Sequence, residues 1–315
     1  MSEDFNQKLS QQLAQSAFWT QVGFQVESSS PGHVRIRLPY DKGNTTAATA
    51  LHGGVIAATL DAAGCLAAWS ADTDKELSGR TLSCDVSYIA GALGKDIFGE
   101  AEVLRRGKEI VFSQVRVVND EGKVIASGNH IYQISAHEEA APNSQDAIPS
   151  ITSTPPPIGR TKGGLGSLAP LDDSIVATNI KRAAKGDGFI PYMNQINWKF
   201  LNAGYGYAEY LLPYKENSVG DYGGLASGAL LSAVDHAGSL AAWMTHELGS
   251  RELFGSTVNT KLQIFAPAIN RDVIVKAKAA GGSGSLINSE VVIETTDGEA
   301  VAGGSTIYRI ITKKK

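Results

Sequence analysis

The stretch that decides the fold is residues 51–70, which read LHGGVIAATLDAAGCLAAWS. Almost every position from Gly53 to Trp69 is apolar or small, so a helix here must be buried on most of its sides. Its many glycines and alanines let other backbones approach closely. Asp61 is the one charged residue in this run. A buried carboxyl is costly without a partner, which marks Asp61 as a functional candidate.

This stretch occurs twice in the chain. Residues 61–69 read DAAGCLAAW and residues 235–243 read DHAGSLAAW, so seven of nine residues are identical at an offset of 174. Farther along, Ile131–Ile134 and Ile307–Ile310 correspond at an offset of 176. The period is too long for a solenoid repeat and indicates a duplicated domain.

The segment between the two copies is rich in proline and glycine, with three consecutive prolines at 155–157. Such a composition predicts an extended, semi-rigid connector. We therefore expect one domain at 1–136, a connector at 137–174 and a second domain at 175–315.

Both copies follow the central helix with a series of strand-like runs. In the first copy, a helix is predicted at 4–18, and strands are predicted at 34–38, 80–90, 97–105, 110–119 and 124–135. The second copy repeats this series after its own apolar segment at 225–244. A buried helix followed by antiparallel strands predicts an α+β domain whose sheet wraps around the helix.

The composition excludes several classes of protein. The 315 residues are 43% hydrophobic and 19% charged, which is typical of a globular chain. A net charge of −4 argues against a binder of nucleic-acid backbones. The polar N-terminus and the lack of a long uncharged apolar run predict neither a signal peptide nor a membrane span. Two cysteines cannot form a disulfide framework, which favours a reducing, cytoplasmic location.

Spacing along the helix sets the geometry expected of a site. Asp61 and Asp235 are the candidate acids, because desolvation raises the pKa of a carboxyl toward the range of a general base. Gly53 would begin the first helix, where free N–H groups can stabilise an oxyanion. Gly53 and Asp61 are about 12 Å apart along a helix, so one substrate carbon cannot touch both. Each acid must therefore face the start of the other helix across a pseudo-twofold axis.

Several motifs together resemble the hotdog fold. They are Leu51–Asp61, Thr81–Tyr88, Arg105–Lys108 and Gly128–Tyr132. His52-Gly53-Gly54 followed by Asp61 is similar to the motif of the PaaI-like acyl-CoA thioesterases. The resemblance covers most of both halves. It implies a tandem double-hotdog chain with an acyl-CoA substrate, no cofactor beyond that coenzyme A, and association of two chains as a homodimer.

The second copy departs from this motif, so two unequal sites are expected. Ala226-Ser227-Gly228 stands where the first copy has His52-Gly53-Gly54. One predicted site joins His52, Gly53 and Gly54 to Asp235. The other joins Ser227 and Gly228 to Asp61, with the Ser227 N–H in the role of the Gly53 N–H.

Other polar residues are assigned with an alternative beside each. Asn44 can bind the substrate carbonyl or a water, or serve a turn. Ser83 stands near the place where the resembling family orients its water or acid, or is a strand-end hydroxyl. Arg105, Arg106 and Lys108 suit the phosphates of coenzyme A, or form a solvated turn.

Other chemistries find little support in the sequence. The six histidines show no metal-ligand spacing, and no Gly-x-Ser-x-Gly elbow occurs. Cys65 and Cys84 are expected to be buried structural thiols, and His236 either tunes Asp235 or packs the helix. The main hypothesis is an acyl-CoA thioesterase. The alternative is a non-catalytic acyl-CoA-binding hotdog protein, which the altered second motif favours.

Overall fold

A computed structural model describes residues 2–46, 49–71, 77–136, 171–186 and 190–312. The first half contains α1 (Ser2–Gln15), α2 (Ala17–Val22), β1 (Gln25–Ser30), β2 (His33–Leu38), α3 (Gly53–Ser70), β3 (Leu77–Tyr88), β4 (Ile97–Arg106), β5 (Ile110–Asn119) and β6 (Val124–Ala136). The second half contains α4 (Asp173–Gly186), α5 (Pro191–Gln195), β7 (Lys199–Gly204), β8 (Tyr207–Leu212), α6 (Ser227–Trp243), β9 (Leu253–Ile264), β10 (Val273–Ser283), β11 (Leu286–Thr295) and β12 (Ala300–Thr312).

The predicted central helices and strands are present, with differences at the N-terminus of the chain. The predicted helix at 4–18 is two helices, because Ser16 interrupts it and caps α2 by accepting a hydrogen bond from the Trp19 N–H at 3.3 Å. Strand β1 was not predicted, since its serine-rich sequence lacks apolar alternation. Most of the predicted connector, residues 137–170, lies outside the described residues.

Helix α3 is the core of the first half. By length and mean hydropathy it could cross a membrane, but 94% of it is buried inside the fold. Its small residues allow close contact with the sheet: a Cβ on Gly64 would lie 2.5 Å from the His130 ring on β6. Helix α3 is thus held by packing on all sides, as its apolar sequence requires.

All twelve strands form one antiparallel sheet, in the order β1-β2-β4-β5-β6-β3-β9-β12-β11-β10-β8-β7. Read from either edge, the two halves have the same strand order. They join where β3 pairs with β9, in a register that runs from Ser83 opposite Gln263 to Ser87 opposite Asn259. The duplicated sequence therefore folds into two hotdog units that share a continuous sheet.

The central helices α3 and α6 lie against each other on one side of this sheet. A Cβ on Gly54 would meet Ser232, and a Cβ on Gly228 would meet Ala58. Since the start of each helix lies beside the middle of the other, the two helices run antiparallel. This arrangement brings the start of one helix near the acid of the other.

Candidate functional site

Each buried acid lies at the beginning of the opposite central helix. A Cβ built on Gly53 would lie 2.7 Å from Asp235 Oδ2, so the carboxyl of Asp235 rests against the first turn of α3. Asp61 Oδ2 accepts a hydrogen bond of 2.6 Å from the Ser227 hydroxyl at the start of α6. We call these places the Asp235 site and the Asp61 site.

The Asp235 carboxyl is held by two threonines of β9. Its Oδ1 accepts hydrogen bonds from Thr257 Oγ1 at 2.8 Å and from Thr260 Oγ1 at 3.4 Å. Burial raises the pKa of Asp235 to about 6, and hydrogen bonds from Thr257 and Thr260, together with the nearby Gly54 N–H, oppose this rise. Asp235 is therefore mostly ionised at neutral pH but remains basic enough to accept a proton.

The first turn of α3 presents a free backbone donor beside this acid. His52 Nδ1 accepts the Gly54 N–H at 2.9 Å and caps the helix. The Gly53 N–H has no hydrogen-bond acceptor among the described residues. Because a helix N-terminus also carries positive partial charge, this donor can stabilise a developing oxyanion.

His52 is a capping residue in this geometry. Its Nδ1 lies 3.8 Å from Asp235 Oδ2, but burial and the neighbouring His236 lower the pKa of His52 to about 3. A neutral ring that accepts at Nδ1 carries its proton on Nε2. His52 therefore orients the helix start and is not the proton acceptor.

Aromatic side chains pack behind the Asp235 site. The ring of His52 lies 5.2 Å from Tyr192 and 5.6 Å from His236, and His236 also contacts Trp198 and Tyr210. Burial lowers the pKa of His236 to about 4, so this ring is neutral. Its position within the ring cluster fits a packing role.

Tyr88, Thr257 and Thr260 at this site were missed from the sequence. Tyr88 donates from its hydroxyl to the Gly53 carbonyl at 3.1 Å, and burial together with Asp235 raises the pKa of this phenol. Thr257 holds the carboxyl, and its counterpart at the offset of 176 is Thr81. Extending the repeat register to polar positions would have identified this threonine pair.

The Asp61 site is closed by its own side chains. Besides Ser227, the Asp61 carboxyl accepts from Thr81 Oγ1 at 2.9 Å and lies 3.2 Å from His130 Nε2, both on Oδ1. Cys65 lies 3.4 Å from Thr81 Oγ1 and 3.7 Å from His130 Nε2, measured from its sulfur. Both oxygens of Asp61 are thus satisfied within the protein.

The predicted contact between Ser83 and an acid is corrected by the structure, which puts Thr81 there. A β-bulge between Thr81 and Ser83 adds one residue to β3 and reverses the alternation of its faces. Thr81 is buried against Asp61, whereas Ser83 lies on the other face of the strand. The same irregularity in β9 leaves Asn259 hydrogen-bonded to Asp85 and away from Asp235.

Asn44 is buried and supports the loop that precedes α3. Its Nδ2 donates to the Val22 carbonyl at 2.9 Å, and its own carbonyl accepts the His52 N–H at 2.9 Å. Its Oδ1 has no hydrogen-bond partner among the described residues. The predicted contact of Asn44 with substrate therefore stays a prediction.

The basic cluster of Arg105, Arg106 and Lys108 lies in the Asp61 half of the sheet. Paired residues lead from Thr81 across β6 and β5 to Arg106, whereas the equivalent row from Thr257 ends at Gly282. Arg106 also donates to the carbonyls of its own hairpin. The cluster thus lies in the half of the sheet that carries Thr81, and its predicted contact with the phosphates of coenzyme A stays a prediction.

The comparisons with known proteins agree with this architecture. The model of the Thioesterase superfamily matches residues 49–126. Acyl-coenzyme A thioesterase 13 of Homo sapiens is 33% identical over 105 residues, which are 33% of this chain and 74% of that relative.

Two solved structures match almost the whole chain. Acyl-CoA thioesterase II TesB2 of Mycobacterium marinum has a TM-score of 0.57 at 13% identity and covers 96% of this chain and 99% of its own. A hotdog-fold protein of Alicyclobacillus acidocaldarius has a TM-score of 0.59 at 14% identity, with 96% and 98% covered. At these identities the two structures share the fold alone.

Proposed function

Because the chain belongs to the thioesterase superfamily, we propose that it hydrolyses acyl-CoA thioesters at the Asp235 site. The observation that carries the proposal is the contact between a buried, basic carboxyl and the start of α3. The unoccupied Gly53 N–H beside it supplies the second element that thioester hydrolysis needs.

In the proposed reaction, Asp235 accepts a proton from a water that attacks the thioester carbon. The carbonyl oxygen becomes an oxyanion and is stabilised by the Gly53 N–H and the positive end of α3. Collapse of this intermediate breaks the carbon–sulfur bond, Asp235 returns the proton to the sulfur, and coenzyme A leaves as the thiol. Thr257 and Thr260 orient the carboxylate through Oδ1, which leaves Oδ2 toward the helix start.

Asp235 could instead attack the thioester carbon itself and form an anhydride that water then hydrolyses. A single turnover in water labelled with oxygen-18 separates the two routes. With water attack, the first acid released carries the label. With direct attack, and water adding at the Asp235 carbon of the anhydride, the first acid released carries an unlabelled oxygen from Asp235 and the label enters the Asp235 carboxyl.

Thiol release from a panel of acyl-CoAs tests the proposed activity. Asp235→Asn is expected to reduce kcat by about 100- to 10,000-fold, because the general base is lost, while acyl-CoA affinity is retained. Asp61→Asn is the matched variant in the other half and is expected to retain turnover. Equal losses in both variants would contradict the assignment of activity to the Asp235 site.

The second candidate function is acyl-CoA binding without hydrolysis. The closed Asp61 site favours it, since one of the two acids has its oxygens occupied by protein donors. A binder would bind acyl-CoA yet release no thiol from any acyl chain in an Asp235-dependent manner.

A further inference from the structure

A compact group of four polar atoms, one of them Asp61 Oδ1, takes no part in the proposed hydrolysis. Thr81 Oγ1 lies 2.9 Å from Asp61 Oδ1, 3.0 Å from His130 Nε2 and 3.4 Å from Cys65 Sγ. His130 Nε2 lies 3.2 Å from Asp61 Oδ1 and 3.7 Å from Cys65 Sγ. Ligands at tetrahedral zinc sit about 2.0–2.3 Å from the ion and hence about 3.3–3.7 Å from one another. The two separations from Cys65 Sγ fall in that range, and the three between oxygen and nitrogen atoms are 0.1–0.4 Å shorter.

Hydrogen bonds do not account for all of these contacts. With Asp61 ionised, Thr81, Cys65 and His130 Nε2 can each provide at most one proton for the five short separations. Three protons therefore serve five contacts, so at least two of these contacts share a proton with another contact or lack one. A cation at the centre of the four atoms would be attracted to every one of them.

The ionisable groups buried at the Asp61 site also favour a bound cation. Asp61, Cys65 and His130 are all buried, and His130 is the only ion-pair partner of Asp61 among the described residues. Burial and the neighbouring Asp61 raise the pKa of the Cys65 thiol well above its usual range, so the metal-free site holds a neutral thiol beside the carboxyl. A divalent ion would displace the thiol proton on binding, and the thiolate and the carboxylate would then neutralise its charge.

The other half of the molecule lacks these ligands. The residues equivalent to Cys65 and His130 are Ser239 and Thr306, whose hydroxyls contact Thr257 Oγ1 at 3.3 Å and the Val234 carbonyl at 3.0 Å. Thiolate and imidazole favour zinc and related transition metals, whereas a set of oxygen atoms does not. Of the two acid sites, only the Asp61 site therefore has both a cysteine and a histidine beside its carboxyl, and this is the carboxyl that accepts from Ser227.

We propose that Asp61, Cys65 and His130 bind one divalent cation of the zinc class, with the Thr81 hydroxyl at the fourth corner. Asp61 and Cys65 are four residues apart on one face of α3, and His130 comes from β6, so the ion would tie the core helix to the sheet. A closed site with protein ligands is structural. The inference does not depend on the proposed hydrolysis.

Metal analysis of the full-length chain, purified without chelators, tests this proposal. We expect about one zinc ion per chain. After removal of that metal, Co²⁺ should give thiolate-to-cobalt charge-transfer absorption and the visible bands of a tetrahedral site. Cys65→Ser should abolish the charge-transfer absorption, and His130→Gln should weaken Co²⁺ binding by about 100-fold or more. Ser239→Ala, at the position equivalent to Cys65, should change neither.

The proposal fails if the folded, metal-free chain takes up neither Zn²⁺ nor Co²⁺. It also fails if the cobalt spectrum lacks thiolate absorption, or if Cys65→Ser leaves that absorption intact. Circular dichroism establishes whether each variant is folded. Should Cys65→Ser not fold, the cobalt spectrum of the unaltered chain decides the question, because thiolate coordination has its own absorption.

Discussion

Asp61 and Asp235 occupy equivalent positions in the two halves, yet their surroundings differ at the helix start that each one faces. Asp235 faces Gly53, which has no side chain and whose N–H lacks an acceptor among the described residues. Asp61 faces Ser227, whose hydroxyl donates to the carboxyl at 2.6 Å. The Ser227 hydroxyl thus occupies Asp61 Oδ2, whereas the corresponding oxygen of Asp235 faces a residue without a side chain.

The flanking residues enlarge this difference. At the Asp235 site the helix is capped by His52, which has Ala226 as its counterpart. At the Asp61 site the carboxyl lies beside Cys65 and His130, where the other half has hydroxyl residues. The duplication therefore preserved the acid and the threonine that holds it, while the partners across the helix pair diverged.

Exchanging the residues at the two helix starts should have the largest effect on the difference between the two sites. Gly53→Ser should reproduce the Asp61 arrangement, because its Cβ falls beside Asp235 Oδ2 and its hydroxyl can donate to that oxygen. We expect kcat for acyl-CoA hydrolysis to fall by about 100- to 1,000-fold. Ser227→Gly is the control and should leave kcat within about twofold. A fully active Gly53→Ser enzyme would show that the open helix start is not required.

The pH dependence of kcat/KM should report Asp235. Below its pKa of about 6 the carboxyl is protonated and cannot accept a proton from water, so the rate should fall about tenfold per pH unit. His52, with a pKa of about 3, remains neutral throughout this range. The profile is measured between about pH 4.5 and pH 8.5, where the protein is folded. A flat profile over this range would contradict the role of Asp235 as the base.

Removing the hydrogen bond from Thr257 should change the pKa of Asp235, whereas the matched change at Thr81 should not. Thr257→Val removes a donor that lowers the pKa of Asp235, so the acid limb of the rate profile should move upward by about one pH unit. The matched variant Thr81→Val acts on Asp61 and should leave the profile in place. An identical shift in both variants would indicate a general structural effect.

The two acids should affect stability in opposite directions. The pKa of Asp235 is raised by folding, so the native state binds its proton more tightly and loses stability as pH rises from about 4 to about 6. Asp235→Asn should therefore raise the free energy of unfolding at pH 7 by about 1–3 kcal/mol. Asp61→Asn should lower it by about 1–3 kcal/mol, because an amide nitrogen would face hydroxyl donors. Urea unfolding measures both, and equal signs would refute the contrast.

The crossed arrangement of acids and helix starts follows from simple length arithmetic. Eight residues of helix separate Gly53 from Asp61, and a duplicated helix offers each acid a second partner. The strand series and the buried helix follow from periodicity and apolar composition. These features depend on short-range spacing, which is visible in a sequence.

Residues brought together by strand register were harder to identify. Ser83 was assigned from the family resemblance alone, and the bulge between Thr81 and Ser83 places Thr81 against Asp61 and turns Ser83 to the other face of β3. Arg105, Arg106 and Lys108 were assigned to coenzyme A without knowing which acid their hairpin accompanies. His130 received no role, because nothing near it in the chain indicates that it contacts Asp61.

The sequence by itself determined the duplicated hotdog plan, the two buried acids and their exchange between halves, since each is a matter of repetition and of distance along a helix. The tertiary structure alone decided which hydroxyl holds each carboxyl and that Cys65 and His130, 65 residues apart, meet beside Asp61. Strand pairing and a single bulge set those contacts, and neither leaves a local signal in the chain.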